Sequence, residues 1–384
     1  MRNLKKVLYV TTVSRTINAF LVPHIEMLLA NGYKVDCACS IDKTLNKKLE
    51  AKGVRVFEIP FSRNPLGLGN IKAFNKLIDI QSINEYDVIH VHTPIAAIYG
   101  RLLRFKFPKI KTIYTAHGYH FLKSGSKLGW LIYYPIEKFM ASLTNVTINI
   151  NKEDYEITKN KLNPEKCYLM NGVGIDLNKY KKISCEEVKR KKEELGLNED
   201  DFIVLNIAEL NKNKNHIQLI KGMELLKDKY PDIKALCIGD GKLLEEIKKE
   251  IKQRGLEENI KLLGYREDIN ELINVSDIGI LMSHREGLPR NLMEFMACGR
   301  KVIATNIRGC RDIVCNESVG SLVEVGDYKE TAKEIERYYL LQDKKFEVSE
   351  DIQKYNIKNI NNKLNEIYSE VCNDISHEKI FSYM

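Results

Sequence analysis

Short continuous apolar runs alternate along the chain with stretches whose apolar residues recur every three to four positions. The runs at 6–11, 34–39, 54–59, 88–91, 111–115, 146–150 and 167–170 predict strands in the first half. Those at 202–207, 235–238, 260–263, 278–282 and 301–305 predict strands in the second. Between them, segments such as 21–30, 71–80, 95–105 and 131–143 carry helical periodicity. Strands that are apolar throughout, separated by helices, belong to parallel sheets covered on both faces. Two such series predict an α/β chain of two Rossmann-like, doubly wound domains. The turn Asn171-Gly-Val-Gly and the charged helical stretch at 179–195 set the boundary between 171 and 200. After Tyr328 the pattern is helical, with no further strand.

The length of 384 residues fits two domains or three, and 44% hydrophobic with 29% charged residues is a globular mixture. No apolar run approaches the ~18 residues of a membrane span; the best, 128–136, is short and contains Pro135. The basic, apolar start imitates a signal peptide, but Arg15 follows and no small-x-small cleavage site does, so a first buried strand is expected. Nine scattered cysteines without CxxC or Cys/His zinc spacing point to a reduced cytoplasmic protein. Residues 1–180 carry a net +12 and the remainder −4, so different partners are expected for the two halves. The KRKKEE run at 189–194 has mixed sign at helical spacing and reads as a solvated face.

In open parallel sheets, ligands bind beyond the carboxyl ends of the strands. No GxGxxG follows the first strand and no Walker A sequence occurs, so phosphate must be bound by other means. The richest segment, Ser283-His-Arg-Glu-Gly-Leu-Pro-Arg-Asn-Leu-Met-Glu, follows the buried run 278–282. Gly287 allows close backbone approach, and Pro289 suits the first turn of a helix whose N-terminus favours a diphosphate. Glu286 in the loop and Glu294 about a turn into the helix could reach one ligand from its two ends.

These two glutamates resemble the E-x7-E motif, within E-G-x-P-x4-E, of retaining glycosyltransferases of family 4. The resemblance extends through NKNKNH at 211–216, Ile238-Gly-Asp-Gly, Leu263-Gly-Tyr-Arg, Asn171-Gly-Val, His90-Val-His-Thr-Pro and Thr115-Ala-His-Gly. The first half is most similar to bacterial enzymes that build capsular or exopolysaccharide units. The resemblance implies the GT-B fold, two Rossmann-like domains facing across a cleft: an acceptor-binding domain at 1–175, a nucleotide-sugar-binding domain at 176–350, and C-terminal helices at 351–384 crossing back to the first. It implies a retaining hexosyltransferase in which Glu286 contacts the donor sugar, Lys214 neutralises the diphosphate and His117 stands beside the reacting carbon. Glu294 would hold the ribose, Gly264 and Tyr265 border the base, and Gly239, Gly241, Gly287, Leu288, Arg290, Asn291, Leu292 and Lys212 complete the donor site. Ser14, Arg15, Thr16 and His92 fall on the acceptor side.

Several positions depart from the family pattern. Glu209 stands where an arginine usually supports the lysine, so Lys212 or Arg290 must substitute or Glu209 must point away. Ser14-Arg15-Thr16 replaces a glycine pair, Phe295 an alanine and Lys301 a proline. No Asp-x-Asp occurs, and cationic side chains with a helix dipole can replace a metal at the leaving group, so no metal or other cofactor is expected. The expected donor is a UDP-sugar and the expected acceptor a saccharide, free or lipid-linked. The basic-apolar stretches 101–111 and 121–134 suit peripheral contact with an anionic membrane, and a pair of ordinary packed helices is the alternative. Two other classes compete: a UDP-sugar 2-epimerase of the same fold, which lacks the E-x7-E layout, and a non-catalytic nucleic-acid-binding protein. The second has no basic-aromatic motif to support it, so no nucleic-acid partner is expected.

Overall fold

A computed structural model describes residues 5–62, 67, 69–121, 127–341 and 350–381, the side chains of 350 and 374–381 excepted. The chain divides into two compact units, 1–173 with 357–384, and 174–356.

The first unit is built on strands β1 (Lys6–Val13), β2 (Lys34–Ser40), β3 (Val56–Glu58), β4 (Val88–His92), β5 (Lys111–Ala116), β6 (Val146–Asn149) and β7 (Lys166–Leu169). They form one parallel sheet in the order β3-β2-β1-β4-β5-β6-β7. Successive side chains of β1 enter opposite layers: Val7 and Tyr9 pack on one face, Leu8 and Val10 on the other. Every residue of β4 and β5 is buried, which explains their continuous apolar reading.

The second unit repeats the plan with β8 (Phe202–Ile207), β9 (Ile233–Ile238), β10 (Ile260–Gly264), β11 (Ile278–Leu281), β12 (Lys301–Thr305) and β13 (Gly320–Val323), ordered β10-β9-β8-β11-β12-β13. Strand β13 was not expected from the sequence. A Cβ at Gly320 would lie 2.0 Å from the carbonyl oxygen of Val302, so only glycine lets this edge strand pair there. That same glycine breaks the apolar run by which a strand is read.

The helix Ile357–Phe381 belongs to the first unit, where Ile360, Leu364, Ile367, Tyr368 and Val371 close one face of the sheet over Val7, Tyr9 and Val35. Their i, i+4, i+7 spacing is a single helical stripe. Residues 351–356, expected to go with this helix, fall in the second unit. Ile352 and Tyr355 are buried in the core of the second unit, and Ile175 donates its N–H to the Tyr355 carbonyl at 2.9 Å.

Candidate functional site

Each sheet reverses its strand order beside its first strand: β1 lies between β2 and β4, and β8 between β9 and β11. Such switch points leave a crevice at the carboxyl ends of the strands. Most of the candidate residues stand on the loops leaving these strands and their neighbours.

In the second unit, the loop from Met282 to Pro289 connects β11 to the helix Arg290–Ala297. Its backbone is pinned from three sides. His284 N–H donates to Asn213 O at 2.7 Å, and Asn213 Nδ2 donates back to Arg285 O at 2.9 Å. Thr305 Oγ1 donates to Ser283 O at 2.6 Å, and buried Arg308 donates from Nε to Glu286 O at 3.2 Å. Gly309, at φ +78°, carries no Cβ; one there would lie 2.1 Å from Gly287 O. The Glu286 carboxylate is thereby presented to Lys214, whose Nζ stands 2.5 Å from its Oε1. Asn211 caps the turn Lys212–Lys214 through the Lys214 N–H at 3.1 Å, which fixes where that lysine starts.

Glu294 lies one turn into the helix and pairs with Arg290 at 2.9 Å. It also accepts from the Tyr180 hydroxyl. Burial pushes its carboxyl above the ordinary range, against the pull of Arg290 and Tyr180. Asn291 seats the helix on β8 by donating from Nδ2 to Ile207 O at 2.9 Å, and Leu292 is wholly buried. The β9 loop is tied to its neighbours through Gly239 N to Gly264 O at 2.8 Å and Leu210 N to Asp240 O at 2.9 Å. This sets Gly239 and Gly241 beside the loop leaving β8.

Other residues stand apart. Lys212 and Glu209 are exposed, and Tyr265 is 74% exposed. Arg308, which the sequence reading missed, also reaches the loop after β11 through its bond to the Glu286 carbonyl. Its signal was weak: it sits beyond β12, outside any motif spacing. Tyr180, far upstream in sequence, was missed for the same reason. Phe295 is fully buried and fills the space left by the absent side chain of Gly279.

In the first unit, His117 follows β5 and its Nε2 lies 3.0 Å from Nδ1 of His92, at the end of β4. Ser14 and His92, expected on the acceptor side, are 0% and 1% exposed. Ser14 bonds Asp42 Oδ1 at 3.0 Å and Lys43 O at 2.5 Å, so it holds the loop from within. Exposed Arg15 is clamped by Asp42 at 2.8 and 3.1 Å, and Thr16 is half-buried. Among the described residues, no group of three His, Cys, Asp or Glu side chains is arranged to hold a metal ion.

Burial holds His24, His117 and His216 neutral, lowered to about 4, and His90 and His92 well below the usual range. The unfolded chain titrates near 6.5, so below that pH it binds protons the folded chain refuses. Stability is therefore expected to fall as pH drops from about 6.5 toward 4, by up to ~1.4 kcal/mol per pH unit for each histidine. Urea midpoints at pH 7, 6 and 5 measure this. Equal midpoints would mean that the histidines charge freely inside the fold.

The family model for glycosyl transferases group 1 matches residues 187–359, and that for glycosyl transferase 4-like proteins matches 6–151. The protein EpsD of Bacillus subtilis (strain 168), a glycosyltransferase by name, is 34% identical over 87% of each chain. The UDP-Gal:alpha-D-GlcNAc-diphosphoundecaprenol alpha-1,3-galactosyltransferase of Escherichia coli is 28% identical over 79% of each chain. Among solved structures, HepE of Anabaena in complex with UDP and glucose superimposes with a TM-score of 0.79 at 21% identity, over 95% of this chain and 100% of that one.

Proposed function

The chain belongs to the group 1 glycosyl transferases, and from that premise we propose that it moves a sugar from a UDP-sugar, with retention, onto a lipid-linked saccharide during assembly of a bacterial capsular polysaccharide or exopolysaccharide. The observation that carries the reading is the pairing of Glu286 with Lys214 across the switch point of the second sheet, with Glu294 one turn into the adjoining helix. In this reading the second unit takes the donor and the first the acceptor. The undecaprenol-linked acceptor named for the E. coli relative supports the lipid-linked class.

The geometry suits a transfer in which charge builds on the leaving diphosphate. Lys214, on its capped turn, swings from Glu286 to the diphosphate and leaves the carboxylate to accept from hydroxyls of the sugar. Glu294, held by Arg290 and Tyr180, accepts from the ribose hydroxyls. The acceptor oxygen bonds to the anomeric carbon on the face from which the diphosphate departs. The carbon–oxygen bond to phosphate breaks, and a phosphate oxygen takes the acceptor's proton. Lys214, Arg308 and the N-terminus of the helix Arg290–Ala297 supply positive potential at that oxygen without a divalent ion.

UDP is expected to raise the melting temperature of the full chain, equivalent to about 2.7 kcal/mol at one hundred times its Kd. The shift should persist in EDTA. No shift would sink the donor assignment, and a shift abolished by EDTA would sink the metal-free part.

We place the first unit at an anionic bilayer. Leu128, Leu131, Ile132 and Phe139 on the helix Lys127–Ala141 are between 47 and 74% exposed, and Phe105 of the neighbouring helix stacks on Phe139 with centroids 6.3 Å apart. Lys106, Lys109, Lys127 and Lys138 are exposed on these two helices and the loop after the first. Rings and aliphatic groups at headgroup depth with lysines around them suit such a surface. Residues 122–126 of the basic-apolar stretch lie outside the described residues. Lys111, expected to contribute, is instead buried in β5. Lys106→Glu with Lys109→Glu should reduce sedimentation with phosphatidylserine vesicles, about 1 kcal/mol being lost per basic residue. Leu131→Glu should reduce it further. Unchanged sedimentation, or none with the parent protein, would remove the bilayer from this reading.

A further inference from the structure

Four histidines of the first unit gather behind the switch point of its sheet. His90 and His92 lie on β4 with ring centroids 4.2 Å apart, and Tyr9 of β1 packs on both. His24, from the helix Val22–Ala30, bonds through Nε2 to Val173 O at 3.0 Å. His90 spends both nitrogens on hydroxyls, Nδ1 with Tyr368 and Nε2 with Thr115, each at 2.8 Å. His92 shares one hydrogen bond with His117, and its other nitrogen, Nε2, is buried without a partner.

We infer that His92 is a positioning residue, whose Nδ1–H donates to Nε2 of His117 and fixes His117 as the tautomer carrying its proton on Nδ1. The tautomer concerns the first unit alone; its chemical consequence rests on the proposed glycosyl transfer and on the resemblance that sets His117 beside the reacting carbon. Two neutral arrangements fit the 3.0 Å contact. If His117 donated, His92 would carry its proton on Nε2, and that N–H would be buried with nothing to accept it. If His92 donates, only a bare lone pair is left at Nε2. An orphaned buried N–H is the rarer and costlier of the two. His90 offers no escape, because both its nitrogens are already bonded. Burial, together with the neighbouring His90, His117 and His24, keeps His92 uncharged, so a third arrangement with imidazolium at this position is disfavoured.

The consequence is chemical. With Nε2 occupied as an acceptor, His117 can offer a ligand only an N–H donor, through Nδ1, and has no free lone pair with which to act as a base. It would hold a hydroxyl oxygen of the sugar rather than withdraw a proton.

The test uses full-length protein labelled with 15N-histidine. Two-bond 1H–15N correlations report which ring nitrogen is protonated, and the His117 signals are assigned by their loss in His117→Gln. The expected pattern is a protonated Nδ1 and a bare Nε2 on His117; a protonated Nε2 would overturn the inference. His92→Phe keeps a ring against Tyr9 but removes the donor. It should turn His117 into a mixture of tautomers and lower turnover ~10- to 100-fold, the scale of a displaced catalytic contact, with UDP affinity unchanged. His92→Asn, whose Nδ2 sits near the former Nδ1, should restore the His117 pattern and most of the turnover. An unchanged His117 pattern in His92→Phe would overturn the inference. Should that variant not fold, the parent and His92→Asn spectra decide. Full activity in His117→Gln would refute the placement of His117 at the sugar, while the tautomer measurement would stand on its own.

Discussion

Glu286→Gln is expected to lower sugar transfer by ~10²–10³ while leaving UDP affinity nearly intact. The substitution keeps the size of the side chain and removes its charge. The loop that carries it is held at its carbonyl oxygens by side-chain donors from Asn213, Thr305 and Arg308, so the amide stays where the carboxylate was. In the proposed reaction, what disappears is a fixed negative group facing the positive charge that develops on the sugar as its bond to phosphate breaks. Glu294→Ala should do the reverse, weakening UDP binding by roughly 1–3 kcal/mol through the loss of a partner for the ribose hydroxyls. It also leaves Arg290 and Tyr180 without their shared acceptor. Lys214→Ala should harm both, since it acts on a charge that grows during reaction. Titration with UDP alongside transfer to a lipid extract separates the three. If Glu286→Gln abolished UDP binding and Glu294→Ala preserved it, the donor would lie the other way round. If neither affected transfer, the spacing of the two glutamates would be without meaning.

The second large effect is on stability. Arg101, 1% exposed, pairs with Glu137 at 2.9 and 3.2 Å, donates from Nε to Ala97 O and lies 4.3 Å over the ring of Tyr114. This pair joins the helices Pro94–Lys106 and Lys127–Ala141. Glu137→Leu leaves a guanidinium charge buried without its counter-charge, which should destabilise the first unit by about 3–5 kcal/mol. For a unit of this size that is a fall of roughly 6–20 °C in Tm. Arg101→Leu combined with Glu137→Leu removes both charges and should recover most of the loss, because apolar side chains replace buried pairs at little net cost. Calorimetry on the single and double variants decides the matter. Equal destabilisation in both would assign the effect to packing volume rather than charge.

The strands that were legible are those buried on both faces, where burial itself produces the apolar run. β13 was not, because the close approach that pairs it demands a glycine. The motif residues on the β8 and β11 loops were legible for a different reason: Lys214, Glu286 and Glu294 sit at short, fixed offsets from strand ends, and spacing along the chain preserves that. Arg308, Gly309 and Tyr180 reach the same place from elements distant in sequence, and nothing local marks them. Charge was legible only as a total. Lys111 and Arg101 counted toward the basic half, yet both are buried, one in a strand and one against a carboxylate. Exposed charge, which is what a partner meets, depends on helix faces that the tally does not resolve.

The placement of the last helix has a consequence for how the protein is made. The first unit needs residues 357–381 to cover Val7, Tyr9 and Val35, whereas the second is one uninterrupted stretch, 174–356. On the ribosome the second unit is therefore complete in sequence while the first still waits for its final helix. Vectorial synthesis usually finishes N-terminal domains first. Here the order is inverted, and during the delay the nascent first sheet presents an uncovered apolar face. A chain ended after residue 356 and released from the ribosome should carry a folded second unit beside a first unit that binds chaperones and is cut readily by protease.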